Sequence, residues 1–182
     1  MTRCRVTSSP TDERRDADGI TSVASLDALR DRGVPFFEES ETVNAETFDR
    51  FAELDDLAPT GVVDDAGRVL LARVTEDCPW KIPSPAVAER EDYATAARRW
   101  IREQTCVAVT IDGVEGVWSV TVRAEGEARE ATRRFVVFAA TPKPAPDSAA
   151  GDVGDGDAAA VAWADELPDG AERPPGTDRF FD

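Results

Sequence analysis

Apolar residues in the middle of the chain recur with two alternating periods, and these mark out its elements. Tyr93, Ala96, Ala97, Trp100 and Ile101 follow the i, i+3, i+4, i+7, i+8 spacing of a helix face, which predicts a helix over 92–104. Strand patterns fall near 59–64 and 68–74, joined by the turn Asp65-Ala66-Gly67. Further strands are expected at 107–111 and 117–123, with Gly113 as the turn between them, and at 134–140. The last is almost wholly apolar, which predicts a central strand covered on both faces. Upstream, Ser25 is placed to cap a short helix ended by Gly33. Residues 34–39 read as a short edge strand, because Pro35 bars a central place. Asn44 is placed to cap a second helix whose apolar face is Phe48, Phe51 and Leu54. Val161–Pro168 reads as a final strand and turn.

Between the expected helix and the hairpin lies a loop, 79–90, punctuated by Pro79, Pro83 and Pro85. Residues 1–22 are polar and aperiodic and are read as a disordered tail. Residues 23–56 form an N-terminal lead of helices and a short strand. Residues 57–182 form the main domain, with an acidic Pro-, Gly- and Asp-rich insert at 142–159. The run Gly151–Asp157 has some spacing of a calcium loop but lacks the full ligand pattern and its closing Glu, so a solvated acidic insert is the reading taken.

Charge changes the picture. The chain of 182 residues has 37 acidic and 21 basic side chains, a formal net charge of −16. Only Lys81 and Lys143 are lysines. An acidic, Lys-poor, Ala- and Val-rich composition resembles that of proteins from salt-accumulating haloarchaea. Large net charge favours solubility, and in molar salt the Debye length falls to about 3 Å, so self-repulsion is screened. Nucleic-acid binding is not expected, because no basic patch is read that would offset this charge. No long apolar run predicts a membrane span, and no signal peptide is read at the start. Cys4, Cys78 and Cys106 are odd in number and lack metal-ligand spacing, which points to a reducing, cytoplasmic setting. Histidine is absent, which excludes Ser-His-Asp and Cys-His catalysis and any His-ligated zinc site.

The stretch from Pro85 to Val107 resembles the signature box of the Nudix hydrolases. That box runs Gly, five residues, Glu, seven residues, Arg-Glu-apolar, one residue, Glu-Glu, one residue, Gly-apolar. Glu91, Arg99, Ile101, Glu103 and Val107 match without a gap. Pro85, Trp100, Gln104 and Cys106 stand where the pattern has Gly, Glu, Glu and Gly. Trp80, Pro83 and Val87, the hairpin over 62–73 and the terminal aromatic–acidic–Leu–Pro segment are similar to the family as well, so the resemblance covers about 57–168.

The resemblance implies an α/β fold, a Nudix-type α/β/α sandwich with a mixed sheet. It also implies a Mg²⁺- or Mn²⁺-dependent hydrolysis of nucleoside diphosphates linked to a further group. Glu91 with Arg99 would be a structural ion pair, and Glu103 the residual metal ligand. Positions 100, 103 and 104 share one helix face, but only Glu103 there is a carboxylate. Weak or absent hydrolysis is therefore expected. One alternative is an active enzyme that borrows a carboxylate from Glu125, Glu127 or Glu130, which otherwise read as a solvated hairpin tip. Another is a non-catalytic module that binds a nucleotide, another diphosphate or a protein, needing no cofactor. Trp100 would stack on a base or plug the former metal position.

Overall fold

The computed structural model describes residues 19–23, 25–144, 158 and 160–181. Most of the expected tail, the bulk of the acidic insert and the candidate calcium loop lie outside the described residues. The order is α1 (Leu26–Asp31), β1 (Phe36–Val43), α2 (Ala45–Ala52), β2 (Asp56–Leu57), β3 (Thr60–Val62), β4 (Val69–Arg73), β5 (Ala86–Val87), α3 (Tyr93–Thr105), β6 (Val109–Ala124), β7 (Glu130–Pro142) and β8 (Ala160–Ala164). A short 3-10 turn at Thr177–Arg179 follows.

The main sheet is mixed, in the order β1-β6-β7-β2-β5, with β3 also paired to β7. β1 runs parallel to β6 over its whole length, Phe36 opposite Val117 through Val43 opposite Ala124. β6 and β7 form the long antiparallel hairpin at its centre. The central place expected for 134–140 follows, since β7 has β6 on one side and β2 and β3 on the other. β4 and β8 pair separately.

Alternation along the strands sorts side chains into layers. On one face Val117, Val136 and Phe138 pack with Leu29 of α1 and with Ala97 and Ile101 of α3. On the other, Val122 and Ala124 receive Phe48 of α2. Helices thus lie on both faces of a mixed sheet, a three-layer α/β arrangement. β4 serves two clusters: Leu70 joins the α3 core, while Val69 and Leu71 pack with Ile82, Leu167 and Phe180. The C-terminal segment covers the sheet beside α2. A Cβ on Gly61 would lie 2.3 Å from the Phe180 ring, so this position leaves no room for a side chain.

Several local expectations need correction. No turn forms at Gly113. β6 continues through it with Gly113 opposite Ala139, and register shifts between Ile111 and Gly113 and between Val114 and Gly116 leave Asp112 and Glu115 as the extra residues of two bulges. The hairpin over 62–73 turns through Asp64, whose Oδ1 accepts from Ala66 N and Arg68 N, yet its two strands belong to different sheets. β1 starts after Pro35 and runs to Val43, longer than the strand expected over 34–39. Ser25 occupies the N-cap of α1 but its side chain makes no capping bond. The far end of α1 is secured instead: Gly33 N donates to Arg30 O and Val34 N to Leu29 O, with Gly33 at φ +76°. Asn44 caps α2, accepting from Thr47 N at 2.9 Å. Leu54 lies beyond that helix and is 50% exposed.

The N-terminal lead is built into the sheet through β1 and α2. Residues 19–23 also meet the main body: Ile20 N donates to Ile111 O, and Arg98 donates to Ile20 O and Thr21 O.

Candidate functional site

The candidate site is the loop–helix unit 79–107. Its helix, α3, is fixed at both ends. Asp92 is the N-cap: Oδ1 accepts from Thr95 N at 2.8 Å. Its Oδ2 accepts from Ser22 Oγ at 2.7 Å and Val23 N at 2.6 Å, clasping the N-terminal lead to the helix. Burial pushes this carboxyl up, but the bonds from Ser22, Thr95 and Val23 outweigh it and hold Asp92 below the ordinary carboxylate range.

Ala94, Ala96, Ala97, Ile101 and Thr105 form the buried face, with Tyr93 and Trp100 half-buried against the same core. Tyr93 Oη donates to Asp56 Oδ2 at 2.5 Å, and burial together with Asp56 pushes the phenol well above its ordinary range. At the C-terminus, Thr105 Oγ1 donates to Ile101 O, and Cys106 takes a left-handed conformation at φ 57°. The backbone shape suited to a glycine is present at 106 without the glycine.

The expected ion pair forms. Arg99 Nε and Nη2 both donate to Glu91 Oε1, at 3.2 and 2.7 Å. Glu91 Oε2 accepts from Ala88 N at 3.2 Å, so the pair ties the loop to the helix. Glu103 is placed on the same arginine, its Oε2 lying 3.6 Å from Arg99 Nη1. Trp100 packs inward, Gln104 is half-buried, and Cys106 is exposed. Pro85 is buried, and its carbonyl accepts from Ala58 N at 3.0 Å, as that of Pro83 does from Thr60 N at 2.8 Å. The loop carbonyls are thereby taken up in strand-like pairing, and Pro85 has no N–H to offer an anion.

These residues do not fit a divalent metal. Mg²⁺ needs several oxygen ligands, with carboxylates among them. Here one carboxylate stands on the helix face and an arginine neutralises part of its charge. Among the described residues no group of three potential ligands from Asp, Glu and Cys gathers. Glu125, Glu127 and Glu130 are not brought to Glu103. They sit at the tip of the β6–β7 hairpin, about 50 Å of strand path from Val109 at roughly 3.3 Å per residue. There Glu127 and Asp49 pair with Arg129, and Glu130 pairs with Arg123.

Sequence reasoning missed two assemblies. One is a stacked pair, Phe37 and Trp118, with centroids 4.5 Å apart and Arg179 beside both rings. The other is a basic groove. Arg98, Arg99 and Arg102 of α3 meet Lys143 beside β6, which corrects the expectation of no basic patch: the fold gathers basic side chains far apart in sequence. Helical spacing on α3 was the available signal for the arginines; Lys143 could only be added by the fold.

No family model matches the sequence, and no curated protein matches it. Among solved structures the chain is similar to a Nudix hydrolase from Nitrosomonas europaea. That likeness has 16% identity over 62% of this chain and 72% of that one, with a TM-score of 0.44. It is also similar to a UDP-X diphosphatase, at 14% identity over 67% of this chain and 59% of that one, TM-score 0.43. A third is a MutT protein from Methanosarcina mazei, at 12% identity over 72% and 78%, TM-score 0.38. Likenesses this distant carry no argument about the chemistry of this chain. Among the described residues no helix is long and apolar enough to cross a membrane.

Proposed function

We propose that this chain is a Nudix-type domain that keeps the loop–helix framework of the box while its metal-holding carboxylates are replaced. Hydrolysis of nucleoside-diphosphate-X compounds is then weak or absent. The observation that carries this reading is Arg99, which bridges Glu91 at 2.7 Å and Glu103 at 3.6 Å. The ion pair between loop and helix is present, and the one carboxylate left from the metal set is drawn onto the same arginine. The left-handed turn at Cys106 supports retention of the framework. Trp100, packed on the core, fills the position as a plug rather than standing free to stack on a base.

The test is formation of AMP from ADP-ribose and of UMP from UDP-sugars, separated by anion-exchange chromatography, in KCl with Mg²⁺ or Mn²⁺. No metal-dependent turnover above a protein-free blank is expected. Turnover that disappears in Glu103→Gln would overturn the reading and restore an active enzyme.

A second reading, a module that holds a nucleotide without cleaving it, is favoured by an open polar groove of about 670 Å³ beyond α1. Ser119, Thr121 and Thr132 line it with Arg30, Arg123 and Arg134, and also with Asp27, Glu38, Glu39 and Glu130, of which Asp27 pairs with Arg30 and Glu130 with Arg123. Its size suits a small ligand. Saturable heat on calorimetric titration with ADP, lost in Arg134→Gln, is the expected sign; absence of saturable heat removes it.

A further inference from the structure

We propose that the groove between the outer side of α3 and the base of β6 is an oligophosphate-binding site, on the box helix but apart from its positions 100, 103 and 104 and from the polar groove beyond α1. Two adjoining hollows, of about 280 and 410 Å³, share Arg98, Val109 and Lys143. Thr95, Arg98, Arg99 and Arg102 follow i, i+3, i+4, i+7 and so form one stripe along the helix. Lys143 faces it from the end of β7, held by its backbone N–H to Ala108 O at 2.8 Å. Among the described residues no carboxylate lines either hollow.

The charges are what set this groove apart. Almost every other cationic cluster here is internally paired: Arg30 with Asp27, Arg123 with Glu130, Arg129 with Asp49 and Glu127, Arg173 with Asp178. Arg98, Arg102 and Lys143 form no ion pair within 4.0 Å among the described residues. Arg98 spends two donors on the carbonyls of Ile20 and Thr21, which fixes its position without cancelling its charge. Arg102 has a role in the fold, since a cation in the last helical turn complements the helix dipole. Lys143 has no such role. In a chain of net charge −16, three cations unpaired among the described residues stand around one hollow and make a local field of opposite sign to that net charge.

The chemistry selects phosphate. Guanidinium groups match phosphate oxygens with parallel N–H donors, and a lysine adds a point charge. Arg98 and Arg102 stand about one turn apart, a rise of roughly 6 Å, so they can address successive phosphates of a linear chain. Such a chain could be free oligophosphate or the tail of a nucleotide.

Isothermal titration of the full chain with tripolyphosphate tests this. It is run at the lowest KCl concentration that preserves the folded circular-dichroism spectrum. One saturable site is expected. Arg102→Gln with Lys143→Gln is expected to weaken it at least tenfold, while Arg32→Gln with Arg50→Gln, of equal net charge, changes it less than twofold. ATP binding no tighter than tripolyphosphate identifies the free phosphate chain as sufficient. ATP binding tenfold tighter, with the same sensitivity to the first pair, identifies a nucleotide tail in the same site. No saturable heat, equal loss in both pairs, or ATP binding without tripolyphosphate binding overturns the proposal. Loss confined to Arg134→Gln overturns it too and leaves the nucleotide-holding reading standing.

Discussion

Replacing Asp92 with Ala removes three hydrogen bonds that converge on one carboxylate, and the cost can be worked from them. Loss of an N-cap costs about 1 kcal/mol. The bonds from Ser22 Oγ and Val23 N are to a charged acceptor, and such bonds contribute roughly 1.5–3 kcal/mol each. The lower figure applies, because Ser22 is exposed and water replaces part of its bond. Val23 is 3% exposed, so its amide is left without a partner. Relief of the carboxylate's own desolvation offsets some of the total. Asp92→Ala is therefore expected to lose about 2–3 kcal/mol in urea unfolding followed by tryptophan fluorescence, with an unchanged m-value.

The pH dependence has a definite sign. The native carboxyl lies below its unfolded value of about 3.9, so its contribution is full above that value and is lost as pH falls through the native one. The stability gap between wild type and Asp92→Ala should thus be constant at neutral pH and close in acid. Other carboxylates titrate in both proteins and cancel in the difference. Asp92→Asn keeps an acceptor for Thr95 N and is expected to fall between the two. A gap under about 0.5 kcal/mol at neutral pH would put Asp92→Ala among ordinary surface changes and refute the clasp.

Three further outcomes are expected. Cys106→Gly should raise stability by about 1 kcal/mol, because a left-handed residue with a Cβ is strained; a lower melting temperature would contradict the helix-end geometry. Trp100→Glu should cost about 1.5–3 kcal/mol from lost burial, and with Gln104→Glu added, Mn²⁺ should raise the melting temperature, since a ligand of the native state stabilises it. No metal-dependent shift in that double variant would show that the box has lost more than its carboxylates. Finally, with net charge −16, tertiary circular dichroism should be lost on dialysis into dilute buffer; a melt unchanged between dilute buffer and molar KCl would refute that dependence.

The sequence-readable parts were those with a repeating physical signal. The α3 face, the Asn44 cap and the apolar β7 each follow from spacing or local chemistry. The Glu91–Arg99 pair was legible only through the resemblance, since eight positions separate its members. What local pattern could not show was contact across distance. Ser22 and Asp92 lie 70 positions apart, and neither carries a mark of the other. Gly113 misled because a glycine between two apolar runs signals a turn as well as a bulge; the length of β7 opposite decided for the bulge. β2 and β5 have two residues each, too few for any period.

The outermost strand of the main sheet, β1, carries Glu38, Glu39 and Glu41, all exposed. A strand in that position offers a row of unpaired backbone groups, a template on which another copy could add. Lysine often guards such a border, and this chain has almost none. Here glutamates do so: two copies meeting there would bring together three carboxylates from each. The opposite border, β5, is too short to recruit a strand. Salt screens the guard on β1, so the same surface charge that keeps copies apart ties their separation to ionic strength.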